Sequence, residues 1–169
     1  MKPVLLLVLL APLYLSAQED CKVRFGVIQD GKESAKEGWR MWPADATEWW
    51  TKSGKKDFKG ICYALKAEEA DWLILWTDHE VSRSAPASIY GRADSSGSRV
   101  QGHGEREWTE QVIQASLYKW DRRPIEDVKL ENLPELSLFS RKQVQWALSK
   151  PGKDAFQELL KYISKAKPR

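Results

Sequence analysis

Trp72-Leu73-Ile74-Leu75-Trp76-Thr77 offers water almost nothing on either side. Side chains alternate across a strand, so a β-strand built from this run is apolar on both faces and belongs inside a sheet that is covered above and below. Other segments supply its neighbours. Val23, Phe25 and Val27 alternate with Lys22, Arg24 and Gly26, so Cys21 to Gln29 reads as a half-buried strand ended by Asp30-Gly31. Ile61-Cys62-Tyr63-Ala64-Leu65 is a second apolar, β-prone run, joined to Trp72 by the tight polar connection Ala67 to Asp71. Trp108 to Trp120 is rich in Val, Ile, Tyr and Trp, and Val144, Trp146 and Leu148 alternate again, which gives two further strands.

Helices flank these strands. Asp45 stands at a capping position with Glu48 three residues on, and Gly54 stands where a helix ends, which predicts a short helix over about Ala46 to Ser53. Near the carboxyl end, Ser149 and Pro151 mark a start, and Phe156, Leu159, Leu160 and Ile163 form one apolar stripe at i, i+3, i+4 and i+7. The pattern is α+β: a single mixed or antiparallel sheet of about five to six strands, with one short helix and one C-terminal amphipathic helix packed on it. Ser82 to Gly104 stands apart. It carries six serines and four glycines with few large apolar residues, and reads as a mobile loop.

Residues 1–17 read as an address rather than as structure. Lys2 precedes the apolar run Val4 to Ala11, and Ser16-Ala17 gives a small-residue exit, the layout of a secretory signal peptide. The run is shorter than the roughly 20 residues that span a bilayer, so no transmembrane segment is expected in the mature chain. Removing 17 of the 169 residues leaves 152, a size that suits one domain over 18–169. The destination is secreted or periplasmic. In an oxidising compartment Cys21 and Cys62, the two cysteines of the chain, read as a disulfide, with two buried thiols as the alternative. Gln18-Glu19-Asp20 before Cys21 is the opposite of a lipoprotein signal.

Charge and motifs exclude more than they propose. Lysine and arginine number 27 against 24 aspartates and glutamates, for a net charge of +3. That balance argues against nucleic acid, whose binders carry a concentrated basic face. Lys161, Lys165, Lys167 and Arg169 suit the solvated end of a helix, with a membrane-surface contact as the alternative. Ser53 and Lys56 form an S-x-x-K, as do Ser164 and Lys167, without the companion elements of the penicillin-recognising enzymes. Gly54-Lys55-Lys56 lacks the spacing of a phosphate loop. Asp78-His79-Glu80, with His103 and Glu105 beyond, are weak metal candidates. Strand alternation points His79 away from Asp78 and Glu80. No motif calls for a cofactor, and with two histidines general bases are few.

Nine tryptophans are the compositional oddity. Trp72, Trp76, Trp108, Trp120 and Trp146 fall in expected strands and suit a core. Trp39, Trp42, Trp49 and Trp50 cluster, and adjacent helix residues lie about 100° apart, which leaves at least one of Trp49 and Trp50 off the core. That cluster is a candidate contact surface beside Lys52, Lys55 and Lys56; the structural alternative is an aromatic group pinning the first helix.

The helix followed by Phe58-Lys59-Gly60-Ile61-Cys62 and Ala70-Asp71-Trp72-Leu73-Ile74-Leu75-Trp76 resembles exported bacterial α/β modules of the TolB amino-terminal type. The stretch Trp146 to Phe156 resembles the end of uncharacterised secreted bacterial proteins of this size. The likeness implies an envelope setting and a non-catalytic habit. Together with the residues it points to an exported structural or binding module whose partner is an envelope protein or polymer. The alternative is a small hydrolase acting on an envelope polymer through acids such as Asp78, Glu80 or Glu105.

Overall fold

The computed structural model describes residues 21–90, 101–125, 135–144 and 150–166. Residues 1–20, which include the expected signal segment, and Trp146 and Leu148 lie outside them. Five strands form one mixed sheet in the order β2-β1-β3-β4-β5, with β1 Val23–Gln29, β2 Ile61–Tyr63, β3 Trp72–Tyr90, β4 Gln101–Lys119 and β5 Glu135–Val144. β1 pairs in parallel with both β2 and β3, whereas β3, β4 and β5 are antiparallel. The fold is therefore α+β on a single sheet, as the alternation of the strands leads one to expect.

The apolar run at Trp72 lies in the middle of this sheet and is covered on both faces. Ile74 and Trp76 enter a core with Phe25, Val27, Ile113, Ala115 and Leu117, under the closing helix α4 (Pro151–Lys165). Leu73 enters a second, smaller core on the other face, with Ile28, Tyr118 and Trp120, roofed by Ala67, Ala70 and Ile125. Trp120 is fully buried there, and its indole N–H donates to the carbonyl of Arg123 at 2.7 Å. On α4 the four stripe residues Phe156, Leu159, Leu160 and Ile163 are each no more than 1% exposed.

The first helix departs from expectation at both ends. After the single turn α1 (Ala35–Gly38), it runs as α2 (Ala44–Trp49), opens into a π turn over Trp50–Gly54, and closes in the single turn α3 (Lys55–Asp57), so Gly54 lies inside the helical stretch rather than after it. Pro43 precedes α2, and no side chain caps it. Asp45 instead works across elements: Oδ1 accepts the N–H of Ala46 at 2.9 Å, and Oδ2 accepts the N–H of Lys153 in the first turn of α4 at 2.9 Å. Because α4 has no side-chain cap of its own, Asp45→Ala is expected to cost about 1–2 kcal/mol, read as a lower urea midpoint, with Asp45→Asn in between.

Glu48 also departs from a capping box, since its carboxylate reaches Lys52 at 2.7 Å and Lys150 at 3.0 Å. These two ammonium groups, Lys52 first, hold the Glu48 carboxyl at about 2, against an ordinary 4.5. A depressed carboxylate stabilises the fold above its unfolded value and ceases to do so as pH falls through its folded one. Glu48→Gln is thus expected to flatten the fall in melting temperature between pH 4.5 and about 2. The pair is exposed, so the difference should shrink in molar salt.

Cys21 and Cys62 are bonded, with α-carbons 5.6 Å apart. The bond ties the chain ahead of β1 to its parallel neighbour β2. Such a bond persists in an oxidising compartment.

The Ser/Gly-rich stretch is the main correction. Ser82 to Tyr90 continue β3, and Gln101 to Gly104 begin β4, in unbroken register from Trp72↔Lys119 to Tyr90↔Gln101; 91–100 lie outside the described residues. A ladder satisfies backbone groups whether or not a face is buried, and cross-strand pairs such as Arg83↔Trp108 stabilise it locally. Beyond Trp76 β3 has no pairing with β1, so that side is an outer edge, where Pro86 and its missing N–H are tolerated.

Candidate binding surface

The tryptophan cluster is mostly core. Trp49 and Trp50 are 7% and 6% exposed, which removes both from any contact surface and corrects the expectation that one of them lies off the core. Trp50 turns to the sheet and meets Phe25 edge-on at 5.2 Å, while Trp49 turns the other way and is covered by Phe58, 6.0 Å off, where the chain leaves α3. Trp42 is half-buried between Phe156 and Tyr63. Trp39 is half-buried on the opposite face, over Gly26, where an added Cβ would overlap its ring, and its indole donates to the carbonyl of Leu65 at 3.2 Å.

Two clefts flank these rings. One of about 270 Å³ lies between the starts of α2 and α4 and the sheet, lined by Trp42, Trp76, Asp45, Asp78 and Gln111. Its two carboxylates are engaged: Asp45 holds two backbone N–H groups, and Asp78 accepts from the Gln111 amide at 2.9 Å. The other, of about 430 Å³, opens beside the disulfide, with Trp50, Tyr63 and Leu65 on its walls and the Arg24–Glu69 ion pair, 3.1 Å, at its rim. Burial raises the Tyr63 hydroxyl above its ordinary range, against the weaker pull of Trp42 and Arg40.

The histidines and acids singled out in the sequence are spread along the β3/β4 ladder. His79 is exposed opposite Val112, and His103 lies opposite Ser88, nine positions further, or about 30 Å along the strands. Glu105, opposite Pro86, is eight positions from Asp78, about 27 Å away. Neither set converges on one ion or one bond. Among the described residues there is no group of three or more possible metal ligands, and no helix is long and apolar enough to cross a membrane.

What the ladder builds instead is an arm. β5 pairs with β4 only from Glu110 to Tyr118, so beyond Glu110 β3 and β4 run on as a two-stranded ribbon. Its two faces differ. Register places Val81, Arg83, Ala85, Arg106, Trp108 and Glu110 on the face shared with Leu73, and Ser82, Ser84, Pro86, Glu105, Glu107 and Thr109 on the face shared with Ile74. On the first face Glu110 accepts the Trp108 indole N–H at 3.3 Å and lies 3.5 Å from the Arg83 guanidinium. The period-two order Val-Ser-Arg-Ser-Ala-Pro from Val81 to Pro86 was the sequence signal for this ribbon. Its serine content masked it.

No protein-family model, curated protein or solved structure matches the chain.

Proposed function

We propose that this chain is an exported, non-catalytic binding module of the cell envelope, and that the β3/β4 ribbon is its contact arm. The observation that carries the reading is the ribbon itself: it extends past the last buried residues, Trp76 and Val112, and keeps exposed side chains on both faces. A sheet that needed only to fold would end its strands near the core, because further pairs add ordering cost without apolar burial. Export is supported by the disulfide and by the layout of residues 1–17. The envelope setting rests on that export reading together with the resemblance to TolB-type modules. The hydrolase alternative loses support from the dispersal of Asp78, Glu80 and Glu105 along the ladder.

Joining Ser82 to Thr109 through Asn-Gly, a two-residue turn that suits antiparallel strands, tests the arm. The body is expected to melt within about 4 °C of the wild type, on the order of 1–2 kcal/mol for a domain of this size. Co-sedimentation with envelope fractions of the native host should be lost. Multiple-turnover cleavage of an envelope polymer by the wild type, abolished by Asp78→Asn, would instead establish the hydrolase.

A further inference from the structure

The outer half of the sheet separates its charges by face. On the face shared with Leu73, the charged side chains among the described residues beyond Thr77 are Arg83, Arg106 and, from β5, Lys142, against one carboxylate, Glu110. On the opposite face Asp78, Glu80, Glu105 and Glu107 stand against Arg141, whose guanidinium lies 4.5 Å over the Phe139 ring. Glu110 pairs with Arg83 and accepts the Trp108 indole N–H, so three cations stand against one carboxylate. The first face is therefore net cationic and holds one half-exposed indole, with Arg83 directly across from it and Arg106 two residues along.

We propose that this face binds an anionic polysaccharide, a polymer of carboxylated or sulfated sugars, with Arg83, Arg106 and Lys142 pairing its acidic groups and the Trp108 ring supporting a sugar. The proposal deepens the binding-module reading and rests on it. A strip with cations on both sides of an aromatic ring, and with Thr77, Gln114 and Ser140 in the row beyond Lys142, offers charge pairing and hydrogen bonds along its length. A protein partner calls for an apolar centre. Here the aliphatic side chains are Val81, Ala85 and Val112, the last already buried, around the single ring of Trp108. A membrane calls for exposed large apolar groups, and those of the described residues, Met41, Leu65 and Tyr162, lie elsewhere. A second copy stacked face to face about a two-fold axis would oppose cation to cation.

The test is isothermal titration of the full chain with polygalacturonate and with heparin at low salt, with neutral dextran as control. Arg83→Gln with Arg106→Gln should weaken binding of the acidic polymers by about tenfold, and added salt should do the same. Lys55→Gln with Lys56→Gln removes equal charge from the α3 turn and should change affinity less than twofold. Arg83→Gln leaves Glu110 without its cation, so Lys142→Gln alone, at an exposed position, serves as the second variant, with an expected loss of about threefold. Equal losses in the ribbon and α3 variants, or equal binding of dextran, would overturn the proposal. So would binding to vesicles of anionic lipid with none to the polymers, or a concentration-dependent dimer abolished by the same substitutions. If the acidic polymers fail to bind while the ribbon still directs the chain to envelope fractions, the polymer assignment falls and the binding-module reading stands.

Discussion

Replacing both Cys21 and Cys62 by serine is expected to lower the melting temperature by roughly 8–16 °C. The two residues are 41 apart in sequence, and closing a loop of that length removes about 4 kcal/mol of denatured-state entropy on the chain-entropy treatment. At the size of this domain each kcal/mol moves the midpoint by about 2–4 °C. The native-state side adds to the case. β2 is an edge strand of three residues paired with β1 alone, through Val23↔Ile61, Arg24↔Cys62 and Phe25↔Tyr63. Ahead of it, the N–H groups of Lys22 and Val23 share the carbonyl of Gly60, at 2.9 and 3.1 Å. So short an edge frays readily once the bond is gone. Wild-type protein in excess reductant should melt with the double variant. A shift under about 2 °C would show that β1 and β2 hold each other without the bond.

Legibility in the sequence followed the physical signal. Where burial sets a period, the residues declared it: Trp72 to Thr77 sits between two cores, and the stripe from Phe156 to Ile163 is buried throughout. Cys21 and Cys62 were legible because export and an even count together leave few uses for them. Elsewhere the decisive partner was remote. Asp45 carries a capping side chain, yet its second oxygen serves Lys153, 108 residues on, which no local rule can anticipate. β5 lies earlier in the chain than its alternation suggests, with Val144 alone of Val144, Trp146 and Leu148 inside Glu135–Val144, because the strand runs through Leu136-Ser137-Leu138-Phe139-Ser140, where the period breaks.

The candidate site was least legible. A solvent-exposed ladder has no apolar face to betray it, and low apolar content is equally the mark of a loop. What distinguishes Ser82 to Gly104 is the partner strand, in which Glu105, Glu107 and Thr109 alternate with Arg106, Trp108 and Glu110. Read singly, each strand is weak. Read as a pair, they segregate charge across two faces, and that segregation becomes visible only once register is known.

Trp50 separates a structural tryptophan cluster from a contact surface most sharply. Its indole packs edge-on against Phe25 at 5.2 Å, within 6.1 Å of both Trp42 and Trp49. Trp50→Ala is expected to cost about 3–5 kcal/mol, the range for deleting a large buried aromatic ring, measured by denaturant unfolding with an unchanged slope. Gly54 is the counterpart. A Cβ there would sit 2.6 Å from Cε3 of Trp50 and 3.3 Å from two atoms of the Trp49 ring, so Gly54→Ala is expected to cost about 1–3 kcal/mol through overpacking. Because the new methyl group enters space that the missing indole vacates, the double variant should lose less than the sum of the two, by about 1 kcal/mol or more. Strict additivity would mean that the π turn relaxes around either change independently. A Trp50→Ala cost below about 1 kcal/mol, with loss of envelope binding, would return Trp50 to the contact surface and make the aromatic cluster, rather than the ribbon, the place where this chain meets its partner.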